Sequence, residues 1–269
     1  MATQQLPLDH IVINSRFDTD AAAAVLAGLG FTLTPRGYHT LGSINHLMVF
    51  ADNYLEIIGL PPDVPVQRRE LLDSAVGIDG LVYAVSDADA TLATLTQAGF
   101  AAHPVQHFSR PLTLDGQQHE AQFSVVRLLP GQFAAGRVYF CHHRTPELVW
   151  RKEWQQHANG VSGIVGLTIV SEQPEQTRAH YARLETQDPQ FQLEVLSQAA
   201  LTERIGTFAA IGAERPERFA VVRLRCAATA VVAALAAHLL LPLQRTAGRV
   251  LVAIPAFSTV LDFIDAGAP

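Results

Sequence analysis

Hydrophobic and polar positions along this chain mark out a unit that recurs four times. Residues 8–14 form a short β-branched run followed by turn formers, and Asp18, Thr19 and Asp20 then supply capping oxygens for an alanine-rich helix predicted over residues 21–27. Gly28 and Gly30 stop that helix. Strands are predicted over residues 31–34, 44–50 and 54–58, and Ala51-Asp52-Asn53 has the composition of a tight hairpin. The unit is βαβββ.

The same order returns at residues 80–85, with caps at Ser86 and Asp87, a helix to Gln97, and Ala98-Gly99-Phe100 echoing Leu29-Gly30-Phe31. Strands near 122–129 and 137–142 complete this second copy. A third copy begins at 164–170, with a helix opening at Pro174, a strand over 191–196 and a poorly defined strand near Phe208. A fourth runs from 219–225 through a helix near 228–238 to strands over 249–254 and 259–264. Between the second and third copies, residues 146–160 hold Pro146, two tryptophans and the turn-forming Asn159-Gly160. The expected organisation is a first domain over 1–145, a linker over 146–160 and a second domain over 161–269. Trp150 and Trp154, four apart, share one face of a short helix and are expected to pack between the halves.

Side-chain alternation gives the first copy its chemistry. In residues 8–14, His10 shares a face with Leu8 and Val12, while Ile11 and Ile13 turn toward the helix. The helical crossover sets the fourth strand of the unit beside the first, and the hairpin sets the third beside the fourth. A three-residue loop over 51–53 makes Phe50 oppose Tyr54 and Met48 oppose Glu56, which leaves His46 diagonal to Glu56 on one face; a two-residue loop flips them apart. His10, His46 and Glu56 are then a set able to hold a divalent ion such as Zn, Mn, Ni, Co or Fe, with coordination positions open for water or substrate. The plainer alternative is two half-buried histidines satisfied by backbone groups and an ordinary strand glutamate.

These residues resemble the vicinal oxygen chelate superfamily, which includes glyoxalase I, extradiol dioxygenases and bleomycin-resistance proteins, and most of all its glyoxalase-like branch. The resemblance rests on Leu8-Asp9-His10-Ile11-Val12-Ile13, Gly28-Leu29-Gly30-Phe31, Asn45-His46, Tyr54-Leu55-Glu56-Ile57 and the repeat, so it spans nearly the whole chain. It implies an α+β fold of four βαβββ modules paired into two cupped mixed β-sheets, with metal ligands from the first and last strands of each paired module. His10 and Glu56 match those places in the first module. In the second, Gly80 stands at the first-strand place and Phe140 is expected opposite Glu56, with His142 on the parity of Phe140 as a further ligand or catalytic acid/base and His143 reaching the cup only through a bulge. Gly166 and Val221 or Val222 leave the second half without a first-strand ligand. Asp262 echoes Glu56 there, and that half reads as a structural partner.

Arg110, ahead of a turn at Asp115-Gly116, is placed to hold a carboxylate or phosphate of a substrate. The resemblance implies a metal-dependent lyase, isomerase or dioxygenase acting on a small oxygenated organic molecule; the alternative is a non-catalytic small-molecule binding or resistance protein. The 269 residues, 49% hydrophobic and 16% charged, suffice for one large or two ordinary domains. A net charge of −6 without a basic stripe excludes nucleic acid as a partner, and the apolar stretch 226–243 is broken by Thr229, His238 and Pro242, so it reads as a buried helix rather than a membrane span. With two distant cysteines and no signal peptide, a cytoplasmic monomer or homodimer is expected.

Overall fold

The computed structural model describes residues 6–185 and 188–265. The first module comprises β1 (Leu8–Arg16), α1 (Thr19–Gly28), β2 (Gly37–Tyr38), β3 (Ile44–Val49) and β4 (Tyr54–Gly59). A short α2 (Arg69–Asp73) leads to the second, made of β5 (Gly77–Ala84), α3 (Ala88–Gln97), β6 (Gln106–Leu114), β7 (Gln117–Arg127) and β8 (Arg137–His143). Together they form one eight-stranded mixed sheet in the order β2-β3-β4-β1-β5-β8-β7-β6. Its ends approach each other, since Thr40 N–H donates to the Ser109 carbonyl at 3.0 Å and Ser109 N–H donates to Thr40 Oγ1 at 3.1 Å. The sheet therefore curls into a nearly closed cup.

The second half carries β9 (Val161–Val170), α4 (Pro174–Ala182), β10 (Gln192–Leu196), α5 (Gln198–Ile205), β11 (Arg218–Cys226), α6 (Thr229–His238), β12 (Leu243–Thr246), β13 (Arg249–Ile254) and β14 (Thr259–Asp265). Its six strands are ordered β10-β9-β11-β14-β13-β12. The mixed α+β architecture is that of the vicinal oxygen chelate fold, with the third module altered. The strand expected near Phe208 is absent, and α5 with a following 3-10 turn buries Leu201, Ile205 and Phe208 against Val170, Val221, Leu251 and Val260 on the inner face of the sheet. Asp262, fully buried on that face, is clasped by Arg249 at 2.7 Å and Arg223 at 3.1 Å. Apolar packing and ion pairs occupy this second cup.

Helix stops repeat in the first two modules, whereas the caps do not: Asp18, at the N-cap of α1, makes no side-chain capping bond. After α1, Gly30 takes φ +85° while Phe31 N–H reaches the Leu26 carbonyl; after α3, Gly99 takes φ +82° while Phe100 N–H reaches the Leu95 carbonyl. These are the same left-handed helix stop, and they explain the repeated Gly-Phe pair. Asp87 caps α3 by accepting the Ala90 N–H at 3.0 Å, worth about 1 kcal/mol. One large core joins the helix-facing sides of both sheets, from Ile11, Ile13 and Leu55 to Ile164, Leu224 and Phe263. α6 buries Val232, Ala233 and Ala236, and no helix among the described residues is long and apolar enough to cross a membrane.

Four local expectations are corrected. Residues 31–34 are not a strand, β6 was not anticipated, and the β3–β4 loop has four residues, 50–53, so that Val49 rather than Phe50 opposes Tyr54. Trp150 sits in irregular chain between two 3-10 turns and Trp154 ends the second of them, Lys152–Trp154; both pack on the inner face of the first cup, Trp150 with its ring 4.5 Å from His143, rather than between the halves.

Candidate functional site

The cup of the first sheet is lined by alternate residues of every strand, and register decides membership. From β4 come Tyr54, Glu56 and Ile58, from β3 Asn45 and Leu47, from β8 Tyr139, Cys141 and His143, from β7 Phe123 and Val125, and from β6 Phe108. In β1 alternation breaks. Leu8 pairs with Tyr83 and His10 with Val82, so Asp9 is an extra residue bulged out of the ladder. Leu8 packs in the helix-side core, while Asp9 and His10 both reach the cup. The second module has the same irregularity at Asp79, between Ile78 and Gly80, where Asp79 pairs with Arg137 at 2.6 Å.

Asp9 is fully buried and central. One oxygen lies 2.5 Å from His10 Nδ1 and 3.1 Å from His143 Nε2. Burial raises the carboxyl pKa, but the adjacent His143 and hydrogen bonds from both imidazoles outweigh it and hold Asp9 well below the usual carboxylate range. An ionised carboxylate only accepts, so His10 donates from Nδ1 and His143 from Nε2. His10 is stacked on Tyr54, with ring centroids 4.3 Å apart, and its Nε2 points to Glu56 Oε2 at 3.6 Å and Tyr139 Oη at 3.4 Å. The other Glu56 oxygen accepts from Asn45 Nδ2 at 2.6 Å. Burial, with Glu56 nearby, pushes the Tyr139 phenol up, so it stays protonated.

His10 and Glu56 are brought together as expected; His46 is not. The four-residue loop puts Leu47 opposite Glu56 and Asn45 on the same face, while His46, paired with Ile57, turns away and bonds through Nδ1 to the Thr34 carbonyl at 2.8 Å. His142 and His143 exchange places for a similar reason. Val82 on β5 pairs with Tyr139, so Tyr139 rather than Phe140 stands where Glu56 stands in the first module. Phe140 joins the helix-side core, His142 lies on its side of the strand, and His143 enters the cup without a bulge in β8. Asp9, Cys141 and His143 offer donor atoms within 4.8 Å of one another, a second group able to hold a cation. Arg110 is buried on β6, inside the cup.

The sequence matches the family model of the glyoxalase-like domain over residues 8–185. The chain belongs to this glyoxalase-like family of the vicinal oxygen chelate superfamily. None of the curated proteins matches it. Solved structures share its fold at 12% identity. A hypothetical protein from Staphylococcus aureus has a TM-score of 0.61, covering 97% of this chain and 99% of the other. A mutant of 4-hydroxymandelate synthase from Streptomyces coelicolor has a TM-score of 0.60, covering 98% and 94%. A xylose isomerase-like TIM barrel/4-hydroxyphenylpyruvate dioxygenase fusion protein has a TM-score of 0.59, covering all of this chain and 51% of the fusion.

Members of this superfamily typically bind a divalent metal, and the donor set here fits one in part. His10 Nε2 and Glu56 Oε2, 3.6 Å apart, are close enough for a single ion to touch both at about 2.0–2.2 Å. The two remaining superfamily ligand places hold Gly80 and Tyr139. A Cβ at Gly80 would lie 2.8 Å from the Val12 side chain, so that place is closed by packing.

The glyoxalase-like cup is also rich in arginine. Arg68, Arg110 and Arg127 line one small cavity of about 30 Å³ with His10, His39 and Glu56, enough for about one water molecule. Burial first, and then the three arginines, hold His39 well below the ordinary imidazole range and therefore neutral. Gly37 makes room for this wall, because a Cβ there would lie 2.3 Å from Arg110 Cδ and Asn45 Oδ1. Asp9, Asn45, Tyr139 and Arg127 escaped the sequence reading. The pairing of Leu8-Asp9 with Ile78-Asp79 across the two copies was the available signal for Asp9.

Proposed function

We propose that this chain is a metal-dependent glyoxalase-like enzyme, of lyase, isomerase or dioxygenase type, acting on a small oxygenated organic molecule in the cup of residues 1–145. Residues 161–269 serve as a structural partner. His10 and Glu56 hold the divalent ion, which supplies Lewis acidity toward a substrate oxygen when bound. The observation that carries this reading is the 3.6 Å approach of His10 Nε2 to Glu56 Oε2. His10 bonds to Asp9 through Nδ1, which turns Nε2 toward the buried Glu56 carboxylate, and these two atoms are placed to share a cation.

The chain's own groups divide the remaining work. Asp9 keeps the His10 proton on Nδ1, and Asn45 holds one Glu56 oxygen so that the other faces the cup. Tyr139, a phenol 3.4 Å from His10 Nε2, is a proton donor for a substrate oxygen bound there. Two free buried cysteines, Cys141 and Cys226, fit a reducing cytoplasm. Elemental analysis tests the proposal. Purified protein is expected to carry close to one equivalent of Zn, Mn, Ni, Co or Fe, and His10→Ala and Glu56→Gln to lose it. Metal retained unchanged in both variants refutes the assignment.

One observation favours a second reading, a binding protein without catalysis: Gly80 and Tyr139 take two of the superfamily's ligand places. Metal-free protein that gains thermal stability from a small molecule, without turning it over, is the result expected for that alternative.

A further inference from the structure

Two guanidinium groups inside the first cup are buried without a carboxylate in direct contact, and the nearby Glu56 and Glu70 only partly offset that burial. Arg110 is 2% exposed, its side chain makes no hydrogen bond or ion pair with the described residues, and its Nε and Nη2 are both buried and unpartnered. Arg127, on the neighbouring strand β7, donates from Nη1 to the neutral amide of Gln106, while its Nε is buried and unpartnered. Its guanidinium lies over Phe108 at 6.0 Å and Tyr139 at 5.8 Å. The third arginine, Arg68, is already matched, by Glu70 at 2.6 Å. Among the described residues Glu56 is the one carboxylate lining this cavity, and it is engaged with Asn45 and His10.

We infer that the cup takes a small organic anion, a carboxylate or phosphate group on an aromatic or apolar body, with Arg110 and Arg127 holding the charge. This deepens the reading of the cup as a substrate site and does not depend on the metal. A planar guanidinium presents paired N–H donors that match two oxygens of either group. Burying such a charge without a counter-charge is costly, and an incoming anion removes that cost. The adjoining wall suits the rest of the molecule: Phe108 and Phe123 stack with centroids 5.0 Å apart, next to Leu47, Ile58 and Val125. The cavity of about 30 Å³ is far smaller than such a ligand, so binding shifts Phe108 and the arginine side chains outward from the edge strand β6. Charge neutralisation is what drives that opening.

The experiment uses the full chain stripped of metal by a chelator that is then removed. Benzoate, phenyl phosphate, inorganic phosphate and neutral benzamide are compared by thermal shift and calorimetric titration. Stabilisation by benzoate or phenyl phosphate but not by benzamide is expected, and the stronger of the two identifies the anionic group. Stabilisation by inorganic phosphate alone shows that the aromatic body adds nothing and overturns the proposal in that part. Arg110→Gln and Arg127→Gln are each expected to weaken binding about tenfold or more, while Arg204→Gln, in the second half, leaves it unchanged. Arg110→Lys, which keeps the charge and loses the fork, separates recognition from folding if the glutamine variant does not fold. Equal stabilisation by benzamide, or no response to either organic anion, overturns the inference. Because the protein is metal-free throughout, this result and the metal content of His10→Ala can fail independently.

Discussion

Asp9 and His10 are consecutive residues of one strand that both enter the cup, and the Asp9 carboxylate accepts the His10 Nδ1–H at 2.5 Å. Strict alternation would send Asp9 to the opposite face; the bulge between the Leu8–Tyr83 and His10–Val82 pairs removes that constraint. A carboxylate behind an imidazole fixes its tautomer and raises its basicity. Asp9→Asn is therefore expected to weaken metal binding by about 10–100-fold with His10 and Glu56 intact. Competition against a chromophoric chelator measures this, and unchanged affinity means that Asp9 has only a packing role.

His46→Ala discriminates between two registers of the same hairpin. The ring bonds to the Thr34 carbonyl on the face away from Glu56, so its removal is expected to leave metal content untouched. It should cost about 0.5–1.5 kcal/mol of stability through the lost hydrogen bond. Loss of the metal together with His46 is the outcome that restores the three-residue loop.

Both the legible and the illegible parts of this chain have physical causes. Helix stops, caps and the β-branched first strands are local, so Gly30-Phe31, Gly99-Phe100 and Asp87 announce themselves and the repeat follows from them. The loop over 50–53 is set from outside. Asn53 donates to the Ile164 carbonyl at 3.0 Å and accepts the Ile164 N–H at 2.9 Å, and His157 Nε2 lies 3.0 Å from the Val49 carbonyl. Contacts from more than a hundred residues away thus add one residue to the turn and rotate His46 out of the site. The exchange of His142 for His143 has the same form, a shift of one place in the register of β8 with β5.

His39 gives the protein an acid-sensitive term whose sign is fixed. Burial and the arginines Arg68, Arg110 and Arg127 lower its pKa far below the ordinary 6.5, so the unfolded chain binds a proton that the native state does not. Its contribution is complete above pH about 6.5 and is lost as the pH falls, by up to about 1.4 kcal/mol per pH unit. His39→Gln should flatten the decline between pH 6.5 and 5.5 in urea unfolding. His46 and His157, lowered mainly by burial, leave a smaller residual slope. Parallel stability curves for the two proteins would show that His39 is protonated in the fold.

Leu240 marks the place where the fourth module departs from the helix stop of the first two. α6 ends as α1 and α3 do, with Leu241 N–H on the Ala236 carbonyl and Leu240 N–H on the Ala237 carbonyl, but the left-handed position is Leu240 at φ +56° instead of glycine. The side chain is 90% exposed, so no packing offsets the strain of holding a γ-branched residue there. Leu240→Gly removes that strain, and because the native φ is one that glycine adopts freely, the gain exceeds the added entropy of the unfolded chain. A stabilisation of about 1 kcal/mol is expected, while Leu240→Ala, which keeps a Cβ at the same φ, should gain little. Chemical denaturation of the two variants beside the parent measures this, and a destabilised glycine variant would mean that Leu240 is covered by something in solution.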